Sequence, residues 1–228
     1  TLATYPEPVE PCAICKFWQI CDKQRHQDDY LSLVAGIRSM HIEELKSQGI
    51  NQLEQFAIAN KIEKPKRGNK ETLLRKQDQA KIQLKGREKN SLIYTLLSIE
   101  PGRGLNRLPE PSDADIYFDI EGDIFYPDGG LEYILGFVSK GSKKPKDYEH
   151  FWSTNKTEEK AAFEKFMSLV MDRWRKNPKM YVYHFAPYEQ NAIKRLARTH
   201  ATYEKEVDEL LRAERFIDLH AIVKESLI

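Results

Sequence analysis

The order of apolar segments after residue 113 limits the possible folds more than any other feature of the chain. Short runs rich in aliphatic, β-branched and aromatic residues have the length and composition of strands. They occur at 115–120 (DIYFDI), 131–140 (LEYILGFVSK), 148–153 (YEHFWS), 179–185 (KMYVYHF) and 215–219 (RFIDL). Segments with helical spacing separate the later runs, so this part of the chain alternates strands and helices.

Two of these separating segments predict helices with one apolar face. The first begins near a cap at Asn155 or Thr157. Its apolar positions recur at helical spacing: Phe163, Phe166, Val170 and Trp174. The second is opened by Pro187 at its first helical position, and Ile193 and Leu196 face inward.

Three strands, a helix, a strand and a helix form the order typical of a ribonuclease H-like fold. A further helix at 203–213 and a last helical start after residue 219 complete the pattern. We therefore predict the α/β class, with a mixed α+β sheet flanked by helices and preceded by a mostly helical N-terminal region. In such a sheet, the first strand and the strand after the first helix lie adjacent and parallel.

Composition divides the chain into four segments. They are a cysteine-containing tail (1–27), a pair of short helices (28–60), a basic linker and helix (61–112) and the strand–helix region (113–228). The stretch EPGRGLNRLPEPSDAD, at 100–115, is rich in proline and glycine and predicts a domain boundary.

Helix boundaries in the N-terminal half follow from single residues. Gly49 predicts the end of one helix and Asn51 the N-cap of the next. A polar helix is predicted from about Glu71. The segment 32–57 resembles a helix–hairpin–helix, whose helix N-termini hold DNA phosphates, although helical hairpins with glycine turns are also common packing modules.

Charge and hydropathy indicate a protein that is not embedded in a membrane. The 228 residues carry a net charge of +1, and no apolar run approaches the length of a membrane span. Together with the absence of a signal peptide, this predicts a cytoplasmic protein without a membrane partner. Between Lys61 and Lys89, however, eleven Lys and Arg face four acidic residues. Such a run is either a solvated helix face or a track for nucleic-acid phosphates.

Carboxylates at two strand ends are the strongest chemical signal. Asp119 and Glu121 alternate on a strand, so they project from one face and repel each other unless a cation neutralises them. Glu189 lies in the first turn of the helix that follows the fourth strand. Because adjacent parallel strands end at one edge, we expect all three acids to meet in one cleft and to hold Mg²⁺ or Mn²⁺. Alternatively, the strand-end acids form a solvated turn and Glu189 stabilises the helix dipole.

Three segments resemble the RNase H-like exonuclease domain of a bacterial RecB-like nuclease family, which belongs to the DEDD class of 3′–5′ exonucleases. They are DIYFDIEGDIFYPDGGLEYILGFV, MYVYHFAPYEQNAIKRLA and FIDLHAIVKESL. The resemblance implies that Asp119 and Glu121 form the first acidic motif. It places Glu189 at the second motif, where most members have Asp. The fourth acid is expected beyond residue 228, and Asp218 is interpreted as structural rather than metal-binding.

Other residues near these motifs have two interpretations each. His184 either orients a water molecule or is a core histidine. Asp123 follows the first two acids and is a further candidate ligand. Phe125 and Tyr126 either stack on a terminal base or belong to the core or a loop.

Cys12, Cys15 and Cys21 have the spacing C-x2-C-x5-C, which predicts a metal site rather than disulfides. Three thiolates are one short of a closed site, so His26 (for Zn²⁺) or an upstream cysteine would complete it. The segment resembles the C-terminal tail of a RecB-type PD-(D/E)xK nuclease. The resemblance implies a [4Fe–4S] cluster completed by a distant cysteine, an upstream nuclease domain and an accompanying helicase. The alternative is three cysteines without a ligand.

These features predict a divalent-metal-dependent 3′–5′ exonuclease acting on DNA, at single strands or 3′ ends, in a DNA-processing or repair protein. Two alternatives stay open: a non-catalytic nucleic-acid-binding or scaffolding module with a degenerate RNase H-like fold, and an exonuclease that processes RNA.

Overall fold

The computed structural model describes residues 5–127, 129–139 and 148–228. Lys140, the last residue of the second predicted strand, and Asp128, within one motif quoted above, lie outside this range. The chain forms two compact units, Thr1–Leu97 with Leu227–Ile228, and Ser98–Ser226. No helix in the described ranges has the length and apolar character needed to cross a membrane.

The first unit is helical, as its sequence predicts. A 3-10 turn at Glu10–Ile14 precedes α1 (Trp18–Gln27), α2 (Ser39–Ser47), α3 (Leu53–Ile58) and α4 (Lys70–Lys89). Its small core is built from residues that are fully or almost fully buried, among them Leu31, Leu45, Leu53, Phe56 and Leu73.

Of the boundaries predicted around Gly49 and Asn51, one is confirmed and the other is shifted by one residue. Gly49 follows the end of α2 with a φ of +78°, a conformation that glycine adopts without strain, so the predicted stop is confirmed. The N-cap of α3 is Gln52, not Asn51. Asn51 lies just before this cap, and its backbone N–H donates to Gln55 Oε1 at 3.0 Å. Asn69 caps α4 by accepting a hydrogen bond from the Glu71 backbone at 2.9 Å.

The basic helix α4 packs through one narrow face. Leu73, Gln77 and Ala80 are buried, and the Gln77 amide donates to the carbonyls of Phe56 and Ala59 at 3.0 and 2.6 Å. Most of its lysines and arginines lie outside this buried face. The structure therefore gives the basic run the geometry of a solvated helix face, which is also the geometry that a phosphate track requires.

The second unit has the predicted alternation of strands and helices. Its elements are β1 (Ile116–Asp123), β2 (Leu131–Ser139), β3 (Glu149–Trp152), α5 (Lys156–Lys176), β4 (Val182–His184), α6 (Tyr188–His200), α7 (Glu204–Arg212), β5 (Phe216–Asp218) and α8 (Leu219–Ser226). The α/β class with helices around a mixed sheet is confirmed.

In the described residues the five strands form one sheet in the order β3-β2-β1-β4-β5. The first three strands are antiparallel neighbours, whereas β1 pairs with β4, and β4 with β5, in parallel. This confirms the predicted adjacency of the first strand and the strand after the first helix. It brings the end of β4, and the start of α6, next to β1.

One face of β1 belongs to the core. Ile116, Phe118 and Ile120 are buried, and they pack with the inward faces of α5 and α6. Phe166 of α5 stacks on Phe118 with ring centroids 4.1 Å apart. Because side chains alternate along a strand, the intervening residues of β1 point away from this core.

The caps of the two helices differ slightly from prediction. Asn155, one of the two predicted residues, caps α5 and accepts a hydrogen bond from the Glu158 backbone at 3.0 Å. Pro187 is the N-cap of α6 rather than its first helical residue, so the helix begins one residue later than predicted. As predicted, Ile193 and Leu196 are buried.

Candidate active site

The exposed face of β1 carries the first two acids. Asp119 and Glu121 both point away from the core, as period-2 alternation predicts. The pairing of β1 with β4 ends at Tyr117 and Tyr183, so Asp119 lies just past that ladder, where the chain turns from β4 into α6. The strand geometry therefore leaves one edge of Asp119 open to the first turn of α6.

Glu189 occupies that first turn and lies beside Asp119. It is buried, with 4% of its surface exposed. Burial, and then the nearby charge of Asp119, raise the pKa of Glu189, although its own backbone N–H and His184 act in the opposite direction. A buried carboxylate close to the exposed carboxylate of Asp119 thus disfavours a second negative charge.

One oxygen of this pair has no hydrogen-bond partner. In the described part of the chain, Glu189 Oε2 is buried and accepts no hydrogen bond. The nearest base is His184, whose Nδ1 lies 3.5 Å away. That Nδ1, however, lies 2.7 Å from the Ala186 carbonyl and donates its proton there. A buried carboxylate oxygen left unpaired is costly, and this one faces a second carboxylate, which is the arrangement a bound cation would relieve.

The third predicted acid lies farther along β1. Glu121 is two residues from Asp119 on the same face, which corresponds to about 6–7 Å along a strand. Among the described residues no three His, Cys, Asp or Glu come together closely enough to hold a metal ion. The expected convergence of three acids is therefore only partly realised: Asp119 and Glu189 meet, and Glu121 lies alongside.

Asp119 and Glu189 line an open groove with a volume of ≈ 450 Å³. Aromatic side chains form much of its wall, and those of Tyr117, Tyr148 and Phe185 are more than half exposed. The Tyr117 ring stacks on the buried ring of Tyr183, with centroids 5.1 Å apart. The groove thus combines a carboxylate pair with exposed ring faces.

Tyr148 and Gly136 complete the groove on the β2 side. Gly136 pairs with Asp119 across the β1–β2 ladder, and the Tyr148 ring lies over Gly136. Burial, followed by the charges of Asp119 and Glu121, raises the pKa of the Tyr148 phenol. The sequence motifs did not single out Tyr148, because its position depends on the pairing of β2 with β3.

Two further predicted site residues, Asp218 and His184, lie in different surroundings. Asp218 Oδ1 accepts hydrogen bonds from the backbone N–H groups of Ala186, His220 and Ala221 at 3.0, 2.9 and 3.2 Å. These bonds hold the β4–α6 turn and the start of α8, so the geometry suits the structural role expected of it. His184 is buried and lines the groove without pointing a free Nδ1 into it.

The turn after β1 lies away from the groove. Asp123 Oδ1 accepts from the Phe125 backbone at 2.9 Å. Phe125 is 87% exposed, and neither Phe125 nor Tyr126 is part of the groove wall. Other exposed rings lie in the groove beside the carboxylates, and the place of Tyr117 among them follows from its alternation with Asp119.

A bulge next to the site turns a third glutamate toward the core. Pairing between β1 and β2 shifts after Glu121, so that Glu132 faces Gly122 and Tyr133 is the extra residue. A side chain at position 122 would collide with Glu132 and would come within 2.8 Å of the Tyr188 hydroxyl. An added side chain here would displace the Glu132 carboxylate and the Tyr188 hydroxyl, whereas the backbone conformation of Gly122 does not itself call for glycine.

Glu132 anchors the first turns of α6. Its carboxylate accepts hydrogen bonds from Tyr188 Oη, at 3.0 and 3.1 Å, and pairs with Arg195. It is 3% exposed, and burial raises its pKa, while Tyr188 and Arg195 lower it. Since Tyr188 directly precedes Glu189, this network fixes where Glu189 lies relative to β1.

The cysteines do not form a cluster. Cys12, Cys15 and Cys21 are free and partly exposed, and they belong to no metal-binding group of three in the described chain. His26 Nδ1 lies 2.9 Å from the Asp22 carbonyl, within its own helix. Five residues along a helix also turn His26 to a different face from Cys21, so the structure does not bring His26 to the cysteines.

Comparison with known families agrees with the second unit. Residues 116–228 match the family model RNase_H_2, of the RNase H superfamily. Comparisons with curated proteins and with solved structures gave no match. The matched range contains β1 to α8, including Asp119 and Glu189, and excludes the cysteine segment. Residues 116–228 therefore form an RNase H-like domain, in agreement with the order of the strands in their sheet.

Proposed function

We propose that the RNase H-like domain is a divalent-metal-dependent nuclease, and more narrowly a 3′–5′ exonuclease acting on DNA in a DNA-processing or repair protein. One observation carries this proposal: the buried, unpartnered Oε2 of Glu189 beside Asp119, within the described residues. The superfamily match supports the coarser part, since nucleases are common in this superfamily.

The donor set suits Mg²⁺ or Mn²⁺. Both ions prefer carboxylate oxygens and retain water, and the paired acids offer such oxygens in an open groove. Asp119 and Glu189 would hold the cation, with Glu121 as the next donor on the same face. When bound, the cation would lower the pKa of a water molecule and neutralise charge on the phosphate.

We assign the nucleophile of the proposed reaction to water. The described groove wall contains neither Ser, Thr, Cys nor Lys. In the proposed reaction a water oxygen therefore bonds to phosphorus, the bond from phosphorus to the 3′ oxygen breaks, and that oxygen takes up a proton. In this reaction the carboxylates of the protein define where the phosphate lies. The buried His184 keeps its hydrogen bond to the Ala186 carbonyl, at 2.7 Å, and so holds the turn before α6.

The exposed rings favour an unpaired strand as substrate. Tyr117 and Phe185 are 51% and 58% exposed beside the carboxylates. Stacking of a base on an aromatic ring is worth about 1–3 kcal/mol and requires that the base be free of its complement. Ring stacking alone does not separate DNA from RNA, so the polymer is decided by the assay below.

A cleavage assay tests the proposal. Single-stranded DNA and RNA, labelled at either end, are incubated with the full chain in Mn²⁺, Mg²⁺ or EDTA. We expect metal-dependent shortening from the 3′ end of DNA, and loss of that activity by at least about 100-fold in Asp119→Asn and Glu189→Gln. Asp172→Asn and Glu164→Gln, on the outer surface of α5, are the matched controls.

Other results of this cleavage assay would support a different substrate, polarity or function. Shortening of RNA alone would replace DNA as the substrate, and shortening from the 5′ end would reverse the polarity. Binding of oligonucleotide without cleavage in any metal would favour the non-catalytic module. Equal cleavage by wild type, Asp119→Asn and Glu189→Gln would contradict the assignment of the site.

A further inference from the structure

The Tyr148 ring covers a glycine that lies next to the carboxylates. It immediately precedes β3, and its ring lies directly on the backbone of Gly136 in β2. A Cβ at position 136 would come within 2.8 Å of Tyr148 Cε2 and still closer to the hydroxyl. Any larger residue at 136 would therefore displace the ring.

This contact places the phenol at the carboxylates. Gly136 is the β2 partner of Asp119, so a ring over Gly136 lies on the same face as Asp119 and next to it. Tyr148, Asp119 and Glu189 line the same groove. Both acids of β1 are near enough to act electrostatically on the phenol.

The hydroxyl is available to a ligand. In the described ranges Tyr148 Oη makes no hydrogen bond, and 54% of the residue is exposed. The ring is supported on one side by His150, with centroids 5.8 Å apart and planes at 20°. A phenol is protonated near neutral pH, so this group is a hydrogen-bond donor held at the edge of an acidic pair.

An acidic site that accepts a phosphodiester needs donors as well as a cation. The described groove wall carries two carboxylates, which repel phosphate, together with tyrosine hydroxyls and the buried His184, which donates from Nδ1 to its own turn. Tyr117 and Tyr148 are residues of this wall that are more than half exposed and carry a hydroxyl donor, and Tyr148 is the one whose ring lies over Gly136, the strand partner of Asp119. We propose that Tyr148 Oη donates a hydrogen bond to a non-bridging phosphate oxygen of the nucleic-acid substrate and so positions the phosphodiester beside Asp119 and Glu189.

This inference rests on the proposed nuclease function, so the test measures binding separately from cleavage. Tyr148→Phe retains the ring over Gly136 and removes only the hydroxyl. Tyr133→Phe, on β2 but outside the groove, is the matched control, because its ring packs on Trp152 instead. Binding of a fluorescent single strand to the full chain is followed by anisotropy in Ca²⁺, and turnover is followed in Mn²⁺.

We expect Tyr148→Phe to weaken binding or lower kcat/KM by about 10- to 100-fold, the range for one lost hydrogen bond to a charged group. Tyr133→Phe should match wild type. Melting temperature should change little in either variant. Gly136→Ala should resemble Tyr148→Phe, since it moves the ring that carries the hydroxyl.

A modified substrate distinguishes the hydrogen bond from a general effect on the groove. Methylphosphonate replaces one non-bridging oxygen by a methyl group, and it is placed at each linkage of a short strand in turn. At one linkage, the modification and Tyr148→Phe should have non-additive effects on binding, because either change removes the same contact. Additive effects at every linkage, or a Tyr148→Phe variant that equals wild type, would overturn the role of Tyr148 while leaving the nuclease assignment intact. Wild-type protein that neither binds nor cleaves would overturn both.

Discussion

Removing the charge of Glu189 should stabilise the metal-free protein. In the folded protein its Oε2 is buried beside Asp119 without a hydrogen-bond partner in the described residues. Glu189→Gln keeps the size of the side chain and supplies an amide that can donate to the neighbouring carboxylate. A buried polar group without a partner costs about 1–3 kcal/mol, so relief of this cost sets the expected gain.

The gain translates into a measurable change in melting temperature. For a chain of 228 residues, 1 kcal/mol corresponds to about 2–4 °C. We therefore expect Glu189→Gln to melt about 2–12 °C above wild type in EDTA near pH 8. Asp119→Asn should have an effect of the same sign, because it removes the other charge of the pair.

The effect should depend on pH with a defined sign. The pKa of Glu189 is raised in the folded state, chiefly by burial, so the folded protein holds this proton more tightly than the unfolded chain does. The stability that protonated Glu189 contributes is therefore fully present below the ordinary glutamate pKa. It is lost as the pH rises from that value through the higher pKa of Glu189 in the folded protein. The difference between Glu189→Gln and wild type should accordingly be small near pH 4 and largest near pH 8.

Differential scanning calorimetry at both pH values, in EDTA and in Mn²⁺, measures these changes. Glu164→Gln on the surface of α5 is the control, and we expect it to follow wild type. Mn²⁺ should raise the melting temperature of wild type at pH 8 and leave Glu189→Gln nearly unchanged. A Glu189→Gln variant that melts below wild type in EDTA at pH 8 would refute the reasoning.

Three further predictions follow from the surroundings of the site and from the cysteine segment. Glu132→Gln breaks the ion pair with Arg195 and the anchor of α6. It should lower the free energy of unfolding in urea by about 1–3 kcal/mol and weaken Mn²⁺ binding, whereas Glu164→Gln should do neither. Gly122→Ala should lower the free energy of unfolding by about 1–3 kcal/mol, because the added Cβ meets Glu132 and Tyr188; full stability would show that the bulge has room. For the cysteines, the cluster that the resemblance implies predicts that the natural full-length protein contains iron and absorbs in the visible, and that Cys15→Ser removes both signals; zinc or no metal in wild type would contradict the cluster.

Much of the fold follows from local sequence patterns. The alternation along β1 predicts that Asp119 and Glu121 share the face opposite Ile116 and Phe118, and the structure has that arrangement. The order of strands and helices predicts β4 beside β1, and this adjacency is what brings Glu189 to Asp119. The first prediction depends on periodicity alone, and the second depends on the RNase H-like order of strands and helices.

The features that sequence reasoning missed depend on long-range register. Tyr148 reaches the groove because β2 and β3 pair with a register that sets its ring on Gly136, and no local pattern encodes that register. Simple alternation along β2 would place Glu132 on the groove face with Gly136. The bulge after Glu121 instead turns it toward α6, where burial and its bond to Tyr188 define its role.

The relative distances among Asp119, Glu121 and Glu189 also could not be predicted from the sequence. Three acids on two strand ends suggested one cluster, but Glu121 lies about 6–7 Å along β1 from Asp119, whereas Glu189 lines the same groove as Asp119 and its pKa is raised by that charge. The direction in which the first turn of α6 presents its side chains is set by Pro187, Tyr188 and the Glu132 network. These contacts belong to tertiary structure and cannot be read from motif spacing.

The central claim is that Asp119 and Glu189 together hold a divalent cation, and calorimetric titration of Mn²⁺ tests it most directly. We expect saturable binding to the full wild-type chain near pH 8 and to the Asp172→Asn control. The same titration should show binding lost, or weakened at least about tenfold, in both Asp119→Asn and Glu189→Gln. Mn²⁺ binding of equal strength in all four proteins would contradict the claim.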